Sequence, residues 1–147
     1  YYYGPYSGKV RFVLHYLNGS YLKGVGQMEQ KPFDPIWLSP DTFRDVQEFL
    51  ANEENKPYED ICKKTASFLS GYYSNYLLEL LSTVDFILHN NEDLKEWLIM
   101  KPQEVFELVV LHINQWSERK KYLFNNEEYV RLVLNHLYKI EKQNLIG

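Results

Sequence analysis

The sequence predicts a mainly α-helical protein in which a winged-helix-like unit, a helix plus a β-hairpin, packs on a bundle of four to six helices. Over most of residues 41–147, apolar residues recur every three to four positions, the period of an amphipathic helix. Before them, a short helical pattern precedes two β-prone segments that are separated by Gly, Pro and polar residues. The length of 147 residues suits a single domain, with the winged-helix-like part over 1–40 and the helical part over 41–147.

The first helix is predicted over about residues 8–18. Gly4-Pro5 breaks an extended start, because proline fixes φ and disfavours a helix at the residue before it. Ser7 can then cap the helix, and Asn18-Gly19 ends it. The spacing predicts an apolar stripe on this helix, made of Val10, Val13, Leu14 and Leu17.

The hairpin and the next helix follow from local residue types. The two predicted strands are carried by Tyr21, Leu22 and Val25 and by Ile36, Trp37 and Leu38. Ser39-Pro40-Asp41 then predicts a helix start, because it combines a cap, a first-turn proline and an acid near the positive end of the helix dipole. The buried face predicted for this helix consists of Phe43, Val46, Phe49 and Leu50.

The remaining chain predicts further helices joined by short links. Helical patterns begin near Pro57, Tyr73, Leu94, Pro102 and Asn125, and 117–121 is predicted to be a charged link. In the strongly apolar segment 76–88, Glu79 and Asp85 stand six positions apart, so they lie on different helix faces. We predict that both face solvent.

Composition excludes several classes of protein. Apolar residues at 45% and charged residues at 24% are typical of a globular chain and not of a disordered one. A single cysteine, Cys62, permits no internal disulfide, and no apolar run approaches the length of a membrane span. We therefore expect a cytoplasmic protein with no membrane association.

No residue pattern in the sequence points to catalysis or to a cofactor. The four histidines fall one per predicted element, and none stands three or four positions from another, so no helix presents two imidazoles to one metal ion. We predict no metal site, no cofactor and no catalytic residue, and hence that the chain is not an enzyme.

Charge is unevenly distributed along the chain. Residues 1–40 hold four basic and two acidic residues, whereas the whole chain has a net charge of −4. A DNA-binding regulator is one hypothesis, because in a winged helix this first helix enters the major groove. Its contacts would be Lys9, Arg11, Asn18, Lys23 and Lys31. Neutralising only about four phosphates gives weak binding at physiological salt, so we favour protein contact; a homodimer would double the number of cations.

The segment YYYGPYSGKVRFVLHYL, residues 1–17, resembles the signature of small bacterial and archaeal proteins related to the YwgA proteins, and a similar signature occurs in the Panacea domain of SocA-like antitoxins and proteolysis adaptors. The segments SPDTF (39–43), NYLLELLSTVDFIL (75–88) and FNNEEYVRLVL (124–134) are similar to later parts of YwgA-like chains. Two departures stand out. The helix opens with Gly8-Lys9-Val10 instead of an acidic pair, and the helical segment that normally precedes the signature is missing before Tyr1.

The resemblance implies a protein-interaction module of the antitoxin or adaptor kind, without catalysis. We expect such a module to bind an unidentified protein partner through the aromatic and basic residues around the GPYS turn. The predicted contacts are Tyr2, Tyr6, Lys9, Arg11 and Trp37.

Overall fold

The computed structural model describes residues 7–26 and 35–146, which fall into two compact units. The amino-terminal unit comprises residues 7–26 and 35–67, and the helical unit comprises residues 68–146. The described chain is mainly helical with one small antiparallel hairpin, as the sequence predicted. That the two units form one domain stays a prediction.

The first helix, α1, spans Gly8–Leu17 and confirms the prediction made from the GPYS turn. The hydroxyl of Ser7 accepts a hydrogen bond from the backbone N–H of Val10 at 3.5 Å, so the predicted cap is formed. The helix ends at Asn18, and Gly19 adopts a positive φ of 92°, which residues other than glycine rarely adopt.

The predicted hairpin is present but short. Strand β1 is Leu22–Lys23 and strand β2 is Trp37–Leu38, paired antiparallel with Leu22 opposite Leu38. The carbonyl oxygen of Tyr21 accepts two hydrogen bonds, from the backbone N–H of Ser39 and from the hydroxyl of Thr42, each at 2.9 Å. These bonds tie the end of the hairpin to the start of the next helix.

Two more helices begin in the amino-terminal unit. Helix α2 spans Thr42–Leu50, a 3-10 turn follows at Glu53–Asn55, and α3 spans Lys56–Leu69, so that its last two residues belong to the helical unit. The predicted buried face of α2 is largely wrong, because Phe43, Val46 and Phe49 are exposed and Thr42 is its buried residue. On α1 likewise no residue is buried, although Leu14 and Leu17 of its apolar stripe are partly covered. Helical spacing places apolar side chains on one face, but it does not supply the surface that would cover them.

The helical unit consists of α4 (Asn75–His89), α5 (Glu92–Met100), α6 (Pro102–Trp116), α7 (Glu118–Leu123) and α8 (Glu127–Ile146). After the hairpin the described residues therefore contain seven α-helices, not the predicted four to six. The additional element is α7, which forms where the sequence suggested a charged link. Ser117 caps it by accepting a hydrogen bond from the N–H of Lys120 at 3.1 Å.

The core of the chain lies within the helical unit, where α4, α5, α6 and α8 pack against one another. Its fully buried apolar side chains include Leu80, Val84, Val105, Val109 and Val133. Burying an aliphatic side chain of this size contributes roughly 1.5–3 kcal/mol, so these stripes account for the formation of the unit. Here the 3–4 spacing in the sequence predicted the buried faces correctly.

Candidate functional site

The two basic residues predicted to make contacts on α1 are both exposed. Lys9 and Arg11 stand two positions apart on a helix, so their side chains leave in different directions and do not form one patch. Lys9 instead shares its side of α1 with Phe12 and Tyr16, at spacings of three and seven. Phe12 is 73% exposed and Tyr16 is 81% exposed, so this side of α1 is aromatic and basic.

The hairpin brings a second basic and aromatic pair together. Lys23 stands directly opposite Trp37 in the strand register, and both side chains are exposed. Directly opposite residues of an antiparallel pair project from the same face of the sheet. The structure thus brings together two residues that the sequence analysis had assigned to different hypotheses, Trp37 to protein contact and Lys23 to DNA contact.

Asn18 has a structural contact. Its side-chain oxygen accepts a hydrogen bond from the backbone N–H of Val25 at 3.2 Å, and Val25 is the buried residue of this loop. Asn18 therefore holds the loop after β1 against the end of α1. Of the other predicted contacts, Tyr2, Tyr6 and Lys31 lie outside the described residues.

The amino-terminal unit exposes many large apolar side chains. Besides Tyr21, Tyr58 and Ile61, they lie on α1, on α2 and in or just before β2, as Val10, Phe12, Val13, Tyr16, Ile36, Trp37, Leu38, Phe43, Val46 and Phe49. Single exposed apolar residues are common on protein surfaces, whereas contiguous apolar patches usually mark binding surfaces. We call this group the exposed apolar set of the amino-terminal unit.

A groove in the helical unit was not predicted from the sequence. It lies between the loop Ser70–Tyr72 and α8, has a volume of about 640 Å³, and is lined on the helix side by Glu128, Arg131, Leu132, Asn135, His136 and Lys139. The ring of Tyr72 lies 4.8 Å from the ring of His136. The 3–4 spacing of these α8 residues is visible in the sequence, but the loop that faces them is not. We call this feature the α8 groove.

A buried ionic cluster connects α4 to α7. Arg119 and Lys120 both donate hydrogen bonds to the carboxylate of Glu79, and Lys120 also donates to the hydroxyl of Thr83 at 2.9 Å. The side chain of Glu79 is only 12% exposed and that of Lys120 is fully buried. The prediction that Glu79 faces solvent is therefore wrong, whereas Asp85 is partly exposed, beside His89.

Electrostatics in this cluster follow from burial and pairing. Burial by itself raises the pKa of Glu79, but the hydrogen bonds from Arg119 and then Lys120 outweigh it and hold that pKa below its usual value. Burial also lowers the pKa of Lys120, a shift that the hydrogen bond to Glu79 opposes. The ammonium group of Lys120 lies 5.0 Å from the centre of the Phe124 ring, which adds a cation–π contact. The cluster thus links α4 to α7 through charged side chains that are largely buried.

Among the side chains that the structure describes within residues 7–26 and 35–146, no group of three or more His, Cys, Asp or Glu is placed to hold a metal ion. Within the same ranges, no helix combines the length and the apolar character that crossing a membrane requires.

Comparison with known proteins gives one informative similarity. No family model matches the chain. Over 118 residues, 80% of its length, the chain is 25% identical to a DNA ADP-ribosyl glycohydrolase of Thermus aquaticus. The chain spans about 29% of the length of that relative.

This similarity corrects one prediction from the sequence. The prediction that the chain is not an enzyme is contradicted, because the similar protein is an enzyme by name. The prediction had rested on the absence of histidine pairs and carboxylate pairs at useful spacings in the sequence. Spacing along a chain is a weak guide here, since the paired groups of the buried cluster, Glu79 and Lys120, are separated by 41 positions.

Proposed function

We propose that this chain is a protein-binding part of an enzyme of the DNA ADP-ribosyl glycohydrolase kind. Two observations support the proposal. The chain is similar over 118 residues to such an enzyme while spanning only about 29% of it. Its amino-terminal unit also exposes a set of large apolar side chains on α1, β2 and α2.

The exposed apolar set is the observation that carries the proposal. A helix with apolar residues at 3–4 spacing gains most of its stability by burying that face against another surface. On α1, Val10 is 57% exposed and Val13 is 51% exposed, although both belong to the stripe with the spacing of a buried face. A protein partner would remove this stripe from water, a gain of roughly 25 cal/mol for each Å² of apolar area.

The basic residues beside this surface define the chemistry of the partner. Lys9 and Lys23 are exposed beside the aromatic side chains described above, and Arg11 is exposed on another side of α1. A partner with an apolar patch bordered by acidic side chains fits them, because complementary charge speeds association and fixes orientation. In this arrangement α1 and the hairpin act as a winged-helix-like unit that binds protein. The resemblance to Panacea domains favours an antitoxin-like or adaptor-like role toward that partner.

The test compares capture of a protein partner by the wild-type chain and by Phe12→Ser/Tyr16→Ser. Both side chains are strongly exposed, so their replacement changes the surface without removing core contacts. We expect the wild-type chain to retain a stoichiometric protein from native lysate and the double variant to lose it. Reconstitution with the purified partner should then show at least a tenfold loss of affinity, about 1.4 kcal/mol.

Tyr122→Ser provides the matched control, because Tyr122 is 82% exposed but belongs to α7 in the helical unit. This variant should bind the partner as the wild type does. Equal retention by the wild type and by Phe12→Ser/Tyr16→Ser would contradict the proposed surface.

DNA is the second candidate partner, and one specific observation favours it: the similar enzyme has DNA in its name. The exposed residues Lys9, Arg11 and Lys23 would contact the phosphate backbone. Binding of a short duplex should then weaken steeply with salt and be lost in Lys9→Glu/Arg11→Glu. The control Lys121→Glu/Lys142→Glu changes the net charge equally on the helical unit. Equal loss in both variants, or binding insensitive to salt, would exclude this candidate.

A further inference from the structure

One residue that lines the α8 groove carries a buried polar atom with no hydrogen-bond partner among the described residues. Tyr72 lines the groove and is only 4% exposed, and its hydroxyl has no hydrogen-bond partner within that part of the chain. A buried hydroxyl without a partner is costly, and native proteins rarely retain one without a reason. A ligand that accepts a hydrogen bond from Tyr72 would remove this cost.

The helix side of the groove carries two basic side chains, Arg131 and Lys139, and one acidic side chain, Glu128. Arg131, Asn135 and Lys139 follow one another at intervals of four on α8, so they lie along one face of the helix. Glu128 lines the opposite end and would repel an anion there. The charges therefore place an anionic group toward Lys139, beside Asn135 and the ring of His136.

Two of the lining side chains are held in place by contacts of their own. One N–H group of Arg131 donates to the side-chain oxygen of Gln103 at 3.0 Å, and the guanidinium lies 3.6 Å from the centre of the Phe106 ring. A ring nitrogen of His136 hydrogen-bonds the carbonyl oxygen of Phe68 at 2.7 Å. Guanidinium groups carry five N–H donors, so Arg131 keeps further donors beyond the bond to Gln103.

We propose that the α8 groove binds a small phosphate ester, with the phosphate near Lys139 and the hydroxyl of Tyr72 donating to the ligand. The volume of about 640 Å³ lies within the range of small-molecule sites. A phosphate group suits the groove because it accepts several charge-assisted hydrogen bonds from cations and hydroxyl groups. The rings of Tyr72 and His136 provide contacts for the organic part of the ester.

The experiment measures binding of three probes to the full chain by NMR: inorganic phosphate, adenosine 5′-monophosphate and adenosine. We expect the nucleotide to shift signals of α8 and of the Ser70–Tyr72 loop, with adenosine binding at least about tenfold more weakly. Shifts with inorganic phosphate but not with the nucleotide would identify the free ion as the ligand and would overturn the proposal of an ester. Equal binding of adenosine and the nucleotide, or no shifts in the groove at millimolar probe, would overturn the proposal.

Two variants distinguish a built site from a general attraction of anions. Lys139→Glu should weaken nucleotide binding about tenfold or more, whereas Lys121→Glu, an exposed lysine on α7 outside the groove, should not. Tyr72→Phe should weaken binding about tenfold without lowering the melting temperature, because it removes a buried hydroxyl that has no described partner. Unchanged binding in both Lys139→Glu and Tyr72→Phe would overturn the assignment.

Discussion

The ammonium nitrogen of Lys120 lies 2.7 Å from a carboxylate oxygen of Glu79, and no part of the lysine side chain reaches solvent. A fully buried lysine is rare and has to be paired. Here the pairing joins α7 to α4, because Glu79 also binds Arg119 at the start of α7. The short helix α7 is therefore held to the core by charge as well as by apolar contact.

Removing the carboxylate should destabilise the helical unit strongly. Glu79→Leu leaves the Lys120 charge buried without its counter-ion, which typically costs about 3–5 kcal/mol. Urea unfolding followed by circular dichroism measures this change in the free energy of unfolding. As a comparison, Lys63→Met breaks the exposed pair between Lys63 and Glu59 and should leave the unfolding midpoint unchanged. Similar midpoints for the two variants would show that the buried pair is not stabilising.

The ion pair of Glu79 and Lys120 also makes the stability of the chain depend on pH. The pKa of Glu79 is held below its usual value in the folded chain, so folding favours the ionised carboxylate. The resulting stability is fully present above the pKa of an unfolded glutamate and is lost as pH falls through the lower folded pKa. Glu79→Gln should lack this contribution, so its stability should change less than that of the wild type between about pH 5 and pH 2. Parallel pH profiles of the two proteins would contradict the expectation.

The sequence predicted local structure better than it predicted burial. The α1 boundaries, the hairpin and the core stripes of α4 and α6 follow from caps, turn residues and spacing, all of which act over a few positions. Glu79 could not be placed from the sequence, because its cations stand some forty positions later. The charged segment 117–121 looked like a link because its helix, α7, is stabilised by that distant carboxylate.

For the candidate sites too, the sequence predicted features that depend on neighbouring residues and missed those that depend on distant ones. Exposure of Lys9 and Arg11 was expected, since neither belongs to the apolar stripe of α1 and the two flank it on opposite sides. The exposure of Phe43 and Phe49 was not expected, because an apolar face on a helix normally indicates a covering surface. The α8 groove depends on the contact between Tyr72 and His136, which are more than sixty positions apart. No local sequence pattern predicts such a contact.

The cap of α7 should matter more than the cap of α1. Ser117 accepts a hydrogen bond from the N–H of Lys120 at 3.1 Å and so also fixes the backbone that carries the buried lysine. We expect Ser117→Ala to lower the free energy of unfolding by about 1–2 kcal/mol, the upper part of the range for caps. Ser7→Ala removes a longer bond of 3.5 Å at an exposed helix and should cost less. Chemical denaturation of both variants checks this order, and a larger effect at Ser7 would refute it.

The turn after β1 should depend on the absence of a side chain at Gly24. Its φ is +90°, and a Cβ atom there would lie 2.7 Å from the carbonyl oxygen of Pro35 and 3.0 Å from the ring of Trp37. Gly24→Ala therefore introduces a steric clash and, in addition, backbone strain of about 1–2 kcal/mol. We expect the indole N–H signal of Trp37 to shift in NMR spectra while those of Trp97 and Trp116 stay in place.

Gly8→Ala is the control for this substitution, since no atom lies within 4 Å of a Cβ at Gly8 and its φ is not positive. Alanine favours a helix over glycine, so this variant should keep or raise stability. If Gly24→Ala leaves the Trp37 signal unchanged, the close approach of the turn to the indole ring does not persist in solution.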